Sequence, residues 1–265
     1  MELTMLGTGN ASVTECYNTC FVLSENDRHI LVDGGGGNTL LQRFKAAGFK
    51  WQDMRHIILT HRHIDHLLGI VWMLRFILQN MSRGKYEGEA YIYTHNECAA
   101  LLKELAELLL LPKETKFLGV RLHIIAVEDG ESRLINGRRV TFFDIGSSKA
   151  KQFGFSMELD DGSLCCCGDE PYCEKERPYA EGANWLLHEA FCLSAEAGEF
   201  KPYEKNHSTA ADAAQLAEKL GAKNLVLYHT EDKNILRRKE LYSKEAAEHF
   251  HGNIFVPEDL EKITL

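Results

Sequence analysis

Thr60-His61-Arg62-His63-Ile64-Asp65-His66 places three histidines and an aspartate within six consecutive residues, after an apolar run at 56–59 and before a helical pattern at 65–80. His61 and His63 are two apart, which in an extended loop puts both rings on one side, so one metal ion can take both. Asp65 and His66, at the start of the helix, can face a second ion. Imidazole and carboxylate are ligands of zinc-like ions, and paired ions sharing an oxygen sit roughly 3.5–4 Å apart. A solvated polar turn could hold the same residues. Their concentration in six positions favours the metal pattern.

Working outward, short apolar runs at 2–6, 20–23, 29–33 and 56–59 read as strands punctuated by glycine-rich turns. Leu40, Leu41, Phe44 and Ala47 recur at helical spacing within 38–48, and further helices are expected at 65–80 and 96–111. Strands return at 121–127, 139–144, 153–159 and 163–167, then at 185–188 and 224–228, with helices at 209–221 and near 236–250. Strand meanders interrupted by single helices, in two halves, predict a four-layer α/β/β/α sandwich. No linker-like stretch divides the chain, so 1–265 reads as a single domain. The glycines at 34–37 read as a flexible turn.

The 265 residues carry 30 Lys+Arg against 39 Asp+Glu, a net charge of −9, which excludes a generally basic nucleic-acid binder. Apolar residues at 45% and charged residues at 26% are globular proportions. Met1-Glu2-Leu3-Thr4 has no basic or apolar leader character, and a cytoplasmic protein is expected. The longest apolar run, 67–74, ends at Arg75 and is too short to cross a bilayer. The eight cysteines contain no CxxC pair and are expected to be free thiols. Cys165, Cys166 and Cys167 read as small packing residues on a strand.

The chain resembles the metallo-β-lactamase fold superfamily, whose HxHxDH signature is matched by His61, His63, Asp65 and His66. Cys167-Gly168-Asp169 looks like the turn that supplies the bridging carboxylate, and Leu225-Val226-Leu227-Tyr228-His229 like the late strand ending in the second ion's last histidine. Leu186-Leu187-His188-Glu189-Ala190-Phe191 is similar to the HEAT segment of the ribonuclease Z-like branch, His207-Ser208-Thr209-Ala210 to its HST loop, and Gly7-Thr8-Gly9-Asn10 fits as well. The resemblance implies a metal-dependent hydrolase with His61, His63, Asp65, His66, Asp169 and His229 as ligands of two divalent ions. Zinc is expected, with manganese or iron as alternatives. A phosphodiesterase acting on a small or single-stranded phosphodiester leads; a thioester or lactone hydrolase and a metal-poor, non-catalytic binding relative are the alternatives. A homodimer is common among such enzymes.

Three departures sharpen this reading. The usual third histidine of the first ion is missing, for no histidine lies between His123 and His188; of residues 144–148 only Asp144 could coordinate strongly. The first ion is therefore expected to be held weakly. The branch's basic PxKxRN loop reads Val13-Thr14-Glu15-Cys16-Tyr17-Asn18, and only fifteen positions separate Gly154 from Asp169, enough for a hairpin and not for a tRNA-gripping arm. Transfer RNA is therefore not the expected substrate, although the chemistry could survive.

Among roles, Asp65 is expected to be both ligand and proton acceptor, and His207 the general acid. Ser208-Thr209 reads as the N-cap of the next helix, whose free N–H groups would meet an anionic leaving oxygen. A solvent-facing histidine near a cap is the alternative for His207. Asp33 either orients a ligating imidazole or caps a turn. His188-Glu189 either holds His207 or is a buried structural pair.

Overall fold

A computed structural model describes residues 1–265. The chain divides into two compact units: Met1–Gly7, Tyr17–Glu128 and Leu260–Leu265 form the first, Thr8–Cys16 and Asp129–Asp259 the second.

The first unit is built on a seven-stranded sheet in the spatial order Lys262–Thr264, Glu2–Gly7, Cys20–Glu25, Arg28–Val32, Met54–Ile58, Ala90–Thr94, Leu122–Ala126. The last four run parallel, joined through the helices Thr39–Ala47, Ile64–Ser82 and Asn96–Leu109. Strands covered by helices read as unbroken apolar runs, as Ile30, Leu31 and Val32 do. Helix Ile64–Ser82 buries Leu67, Ile70, Leu74, Ile77, Leu78 and Met81 at i+3 and i+4 intervals. Each such side chain contributes about 1.5–3 kcal/mol on burial. Val32 and Ile58 are register partners, so the residues that follow them, Asp33 and the loop carrying His61, emerge side by side.

The second unit has its own seven-stranded sheet, in the order Asn253–Phe255, Asn224–Tyr228, Trp185–Glu189, Gly162–Cys166, Phe153–Leu159, Arg138–Asp144, Ser132–Ile135. Here too four neighbouring strands run parallel, with Cys166 opposite Leu187, Glu189 opposite Tyr228 and Val226 opposite Phe255. Their carboxyl ends deliver Asp169, Glu189 and His229. Helix Ala210–Leu220 covers this sheet with alanines, its buried side being Ala210, Ala213, Ala214 and Ala217.

The expected elements coincide with the observed ones to within a few residues, and Phe153–Leu159 with Gly162–Cys166 forms the anticipated hairpin. Four strands were not anticipated: Ala90–Thr94, Ser132–Ile135, Asn253–Phe255 and Lys262–Thr264. The glycine turn at 34–37 differs from its expectation. The Tyr17 hydroxyl donates to the Gly34 carbonyl at 2.8 Å, and the Gly36 N–H donates to Asn18 at 3.1 Å, so the turn is pinned. All eight cysteines are free thiols. No helix is long and apolar enough to cross a membrane.

Candidate active site

In the first unit, Asp33 sits at the end of its strand with φ 54°, a left-handed conformation that costs a non-glycine residue of order 1–3 kcal/mol. That backbone turns its carboxylate into the sheet edge. Oδ1 accepts the Thr60 N–H at 2.8 Å, while Oδ2 lies 2.7 Å from both the Thr60 hydroxyl and His66 Nδ1. A carboxylate only accepts, so His66 carries its proton on Nδ1 and turns the lone pair of Nε2 outward. Thr60 Oγ1, having donated to Asp33, accepts from His61 Nδ1 at 2.9 Å, which fixes the same tautomer in His61. His61 Nε2 and His63 Nδ1 then lie 2.8 Å apart. Two nitrogens bound to one tetrahedral zinc ion at about 2.0–2.1 Å would stand about 3.3 Å apart, so both rings already converge on one point.

His63 is the N-cap of helix Ile64–Ser82 and Asp65 lies in its first turn, where the helix dipole favours a carboxylate. This turn is joined to the Asp33 strand end by backbone: Gly34 N–H donates to the His66 carbonyl and Gly69 N–H to the Gly35 carbonyl, each at 2.9 Å. Only glycine permits such closeness, since a Cβ on Gly69 would stand 1.8 Å from the Gly34 oxygen. Asp33, His61 and His66 offer ligand atoms all within 4.8 Å of one another.

In the second unit, Asp169 follows Gly168, whose φ of 80° makes the turn and whose carbonyl accepts the Tyr228 hydroxyl. His229 ends its strand with φ 59°, and its Nε2 lies 3.6 Å from Asp169 Oδ2. The His207 ring stacks on Phe191 at 4.7 Å and lies 5.3 Å from the His229 ring. Fully buried Glu189 points Oε2 at His207 Nδ1, 3.6 Å away, and its Oε1 accepts the Ser208 N–H.

Asp33 is therefore an imidazole-orienting residue, and Glu189 faces His207. His188 makes no hydrogen bond to His207: its Nδ1 meets the Glu189 carbonyl at 2.7 Å, and its Nε2 has no hydrogen-bond partner. Within the expected pair Ser208-Thr209 it is Thr209 that is the N-cap of the helix near His207, in a capping box with Asp212, but the anion site expected there is not formed. The N–H groups of Ser208, Ala210, Ala211 and Asp212 are taken by Glu189, Cys192, Glu245 and Thr209, so none is free for an anion. Asp144 is no substitute ligand in this arrangement. Its Oδ1 accepts the Gly146 N–H at 2.8 Å, closing a turn, and it stands in none of the clusters of metal-competent donors. Thr60 and Tyr17, which set the tautomers and the glycine turn, carry no local motif that marks them.

The family model for "Anti-Pycsar protein Apyc1" matches residues 1–249. The chain is 27% identical to ribonuclease Z of Nocardia farcinica over 316 residues, covering 100% of this chain and 97% of that one. It is 26% identical to ribonuclease Z of Natronomonas pharaonis over 312 residues, covering 100% and 98%. Among solved structures, the metallo-β-lactamase fold protein YhfI of Bacillus subtilis superposes with TM-score 0.80 at 18% identity, covering 99% and 98%. Human tRNase Z, short form, superposes with TM-score 0.75 at 22% identity, covering 100% and 99%. The metallo-β-lactamase fold expected from the HxHxDH segment is thus shown, and the ribonuclease Z-like resemblance extends over the whole chain.

Proposed function

From a chain that belongs to the anti-Pycsar protein Apyc1 family and has a metallo-β-lactamase fold, we propose a metal-dependent hydrolase, specifically a phosphodiesterase for a small or short single-stranded phosphodiester. The observation that carries this reading is the hydrogen-bonded set Asp33, Thr60, His61 and His66. It holds the proton of both imidazoles on Nδ1 and leaves Nε2 as a ligand atom. Surface histidines have no need of such a buried relay; metal-binding histidines usually have one. The residues present fit divalent ions of the zinc, manganese or iron kind, and the ligands are proposed to be His61, His63, Asp65 and His66 of the first unit with Asp169 and His229 of the second. When bound, such ions acidify water and stabilise negative charge on a phosphoryl oxygen.

The chain's own residues do the remaining work. Asp65, whose carboxylate is buried at the start of a helix, is the proposed proton acceptor. Glu189 turns the His207 ring so that Nδ1 faces the carboxylate, and Phe191 fixes its plane. Nε2 is then the atom that can protonate a leaving oxygen. The two-residue hairpin turn at Asp160-Asp161 and the net charge of −9 support a small substrate rather than transfer RNA. The action against Pycsar named in the family's description is part of the same proposal.

One observation favours the metal-poor alternative: Asp144 stands in none of the clusters of metal-competent donors, so it does not stand in for the missing histidine. Metal analysis of protein purified without chelator, followed by assay on bis(p-nitrophenyl) phosphate with added zinc or manganese, separates the two. Two ions per chain with turnover support the hydrolase. Protein that stays empty and inert after metal addition overturns it.

A further inference from the structure

Glu170 directly follows Asp169 in the second unit and is only 4% exposed, a burial that acidic residues rarely reach unless paired. Both of its oxygens are engaged, each by a different loop. Oε1 accepts the Ser147 hydroxyl at 2.7 Å, and Oε2 accepts the Asn206 side-chain amide at 2.6 Å. Ser147 belongs to the connection at 145–152 between strands Arg138–Asp144 and Phe153–Leu159. Its oxygen also accepts the Lys149 and Ala150 N–H groups, each at 3.3 Å, and so closes a turn. Asn206 ends the 3₁₀ turn Tyr203–Lys205 in a left-handed conformation, φ 56° and ψ 53°, which asparagine tolerates better than most residues. The chain then passes directly to His207, whose N–H donates to the Pro202 carbonyl at 2.9 Å.

One carboxylate therefore ties the turn carrying Asp169 to the loop carrying His207. Its chemistry suits a clamp. A carboxylate only accepts, so both loops donate to it, and hydrogen bonds to a charged acceptor are shorter and stronger than neutral ones. The Asp169 turn is itself anchored, because the Gly168 carbonyl accepts the Tyr228 hydroxyl. By contrast, His207 Nδ1 stands 3.6 Å from Glu189 Oε2, too far for a hydrogen bond. The place of the ring thus depends on the backbone that carries it, and Asn206 is where that backbone is tethered.

We propose that Glu170 is a positioning residue for the general acid: through Asn206 it holds the His207 backbone at a fixed place relative to Asp169, braced on its other side by Ser147. Glu170 itself moves no proton and holds no ion. A shift of about 1 Å in such a group can cost on the order of 10²-fold in rate, so a clamp between the two loops bears directly on turnover. The effect on rate rests on the hydrolase reading; the effect on the His207 ring does not.

Three variants test the clamp. Glu170→Ala removes both contacts. Asn206→Gly keeps the left-handed backbone and deletes only the amide, and it carries the same test should Glu170→Ala not fold. Glu170→Gln keeps an acceptor for Ser147 and offers an N–H to Asn206, whose own amide can turn over to accept it. Proton donation matters more for phenoxide, the more basic leaving group, than for p-nitrophenoxide. In Glu170→Ala and Asn206→Gly, kcat should fall about 10- to 100-fold on diphenyl phosphate and only about 3-fold on bis(p-nitrophenyl) phosphate, with KM and metal content unchanged. In Glu170→Gln, kcat on both esters should recover to within about 3-fold of the parent. A merely structural role lowers both esters alike, so equal losses, or loss of metal, overturn the proposal.

Proton NMR of the histidine rings separates this failure from that of the hydrolase reading. The His207 ring stacks on Phe191 at 4.7 Å, so the aromatic ring current displaces its signals, which are assigned by their disappearance in His207→Ala. The displaced signals should stay in place in Glu170→Gln and move in Glu170→Ala and Asn206→Gly. That movement supports the clamp even if neither ester is turned over. Signals unmoved in both variants overturn it even if both esters are hydrolysed.

Discussion

The two donor sets are organised differently. In the first unit Asp33, Thr60, His61 and His66 pass hydrogen bonds along an unbroken relay, every link at 2.7–2.9 Å. In the second, His207 Nδ1 and Glu189 Oε2 face each other at 3.6 Å and neither has a hydrogen-bond partner. A relay of short bonds fixes tautomer and angle, which is what holding an ion demands. A looser ion pair leaves a ring able to gain or lose a proton, which is what acid–base work demands, and such contacts commonly tighten only when substrate is present. On the proposed reading, the first set holds metal and the His207–Glu189 pair moves protons.

The strongest test of that division is His207→Ala. The expected loss is about 10²–10⁴ in kcat, with metal content unchanged by mass spectrometry. A variant that also came out metal-free would erase the distinction. Asp33→Asn probes the other side. An asparagine amide can still accept from one neighbour but cannot serve both the Thr60 hydroxyl and His66 Nδ1 as a charged acceptor. Metal affinity should fall by about 10–100-fold in a chelator competition, and activity should recover at saturating metal. If full metal occupancy left the rate low, Asp33 would belong with the proton-moving residues instead.

A smaller effect concerns the electrostatic cost carried by the second unit alone. Burial raises the Glu176 carboxyl from 4.5 to about 8, against weaker opposing hydrogen bonds from the Cys173 N–H and Cys167. The sign follows from which state releases its proton first. Below 4.5 both folded and unfolded chains are protonated and there is no penalty; between 4.5 and about 8 the unfolded chain ionises while the folded one does not, and stability declines. Glu176→Gln removes that decline, so the variant should melt higher than the parent at pH 8, by the equivalent of about 1–3 kcal/mol, and no higher at pH 4. Equal melting temperatures at pH 8 would show that the carboxyl is not kept neutral.

The same contrast governs what could be read from the chain. The first unit's histidines were legible because His61, His63 and His66 lie with Asp65 within six positions, and because a strand and a helix with strong apolar periodicity flank them. Asp169, Glu189, His207 and His229 are spread over sixty residues and became legible only through resemblance. The helix-start anion site failed because side chains far along the sequence claim its donors: Glu189 takes Ser208 and Glu245 takes Ala211. Spacing cannot show that. Asp144 failed for the opposite, local reason that an aspartate two residues before glycine closes its own turn. Of the unanticipated strands, Ser132–Ile135 and Lys262–Thr264 bury one residue each and Asn253–Phe255 none, so neither apolar run nor alternation marks them. Ala90–Thr94 is well buried, and its tyrosines and threonine disguise it.

Gly34 and Gly69, each pressed against the other's backbone, have a bearing on how this protein breathes. Their amides are held by the carbonyls of His66 and Gly35, so the strand end and the first two turns of the helix share hydrogen bonds across two elements. Neither element can fray alone at that point. In hydrogen exchange, the amides of Gly34 and Gly69 should therefore lose protection together, in one cooperative opening, although thirty-five positions separate them in the chain. The histidine loop between them inherits that protection and has no private route to opening.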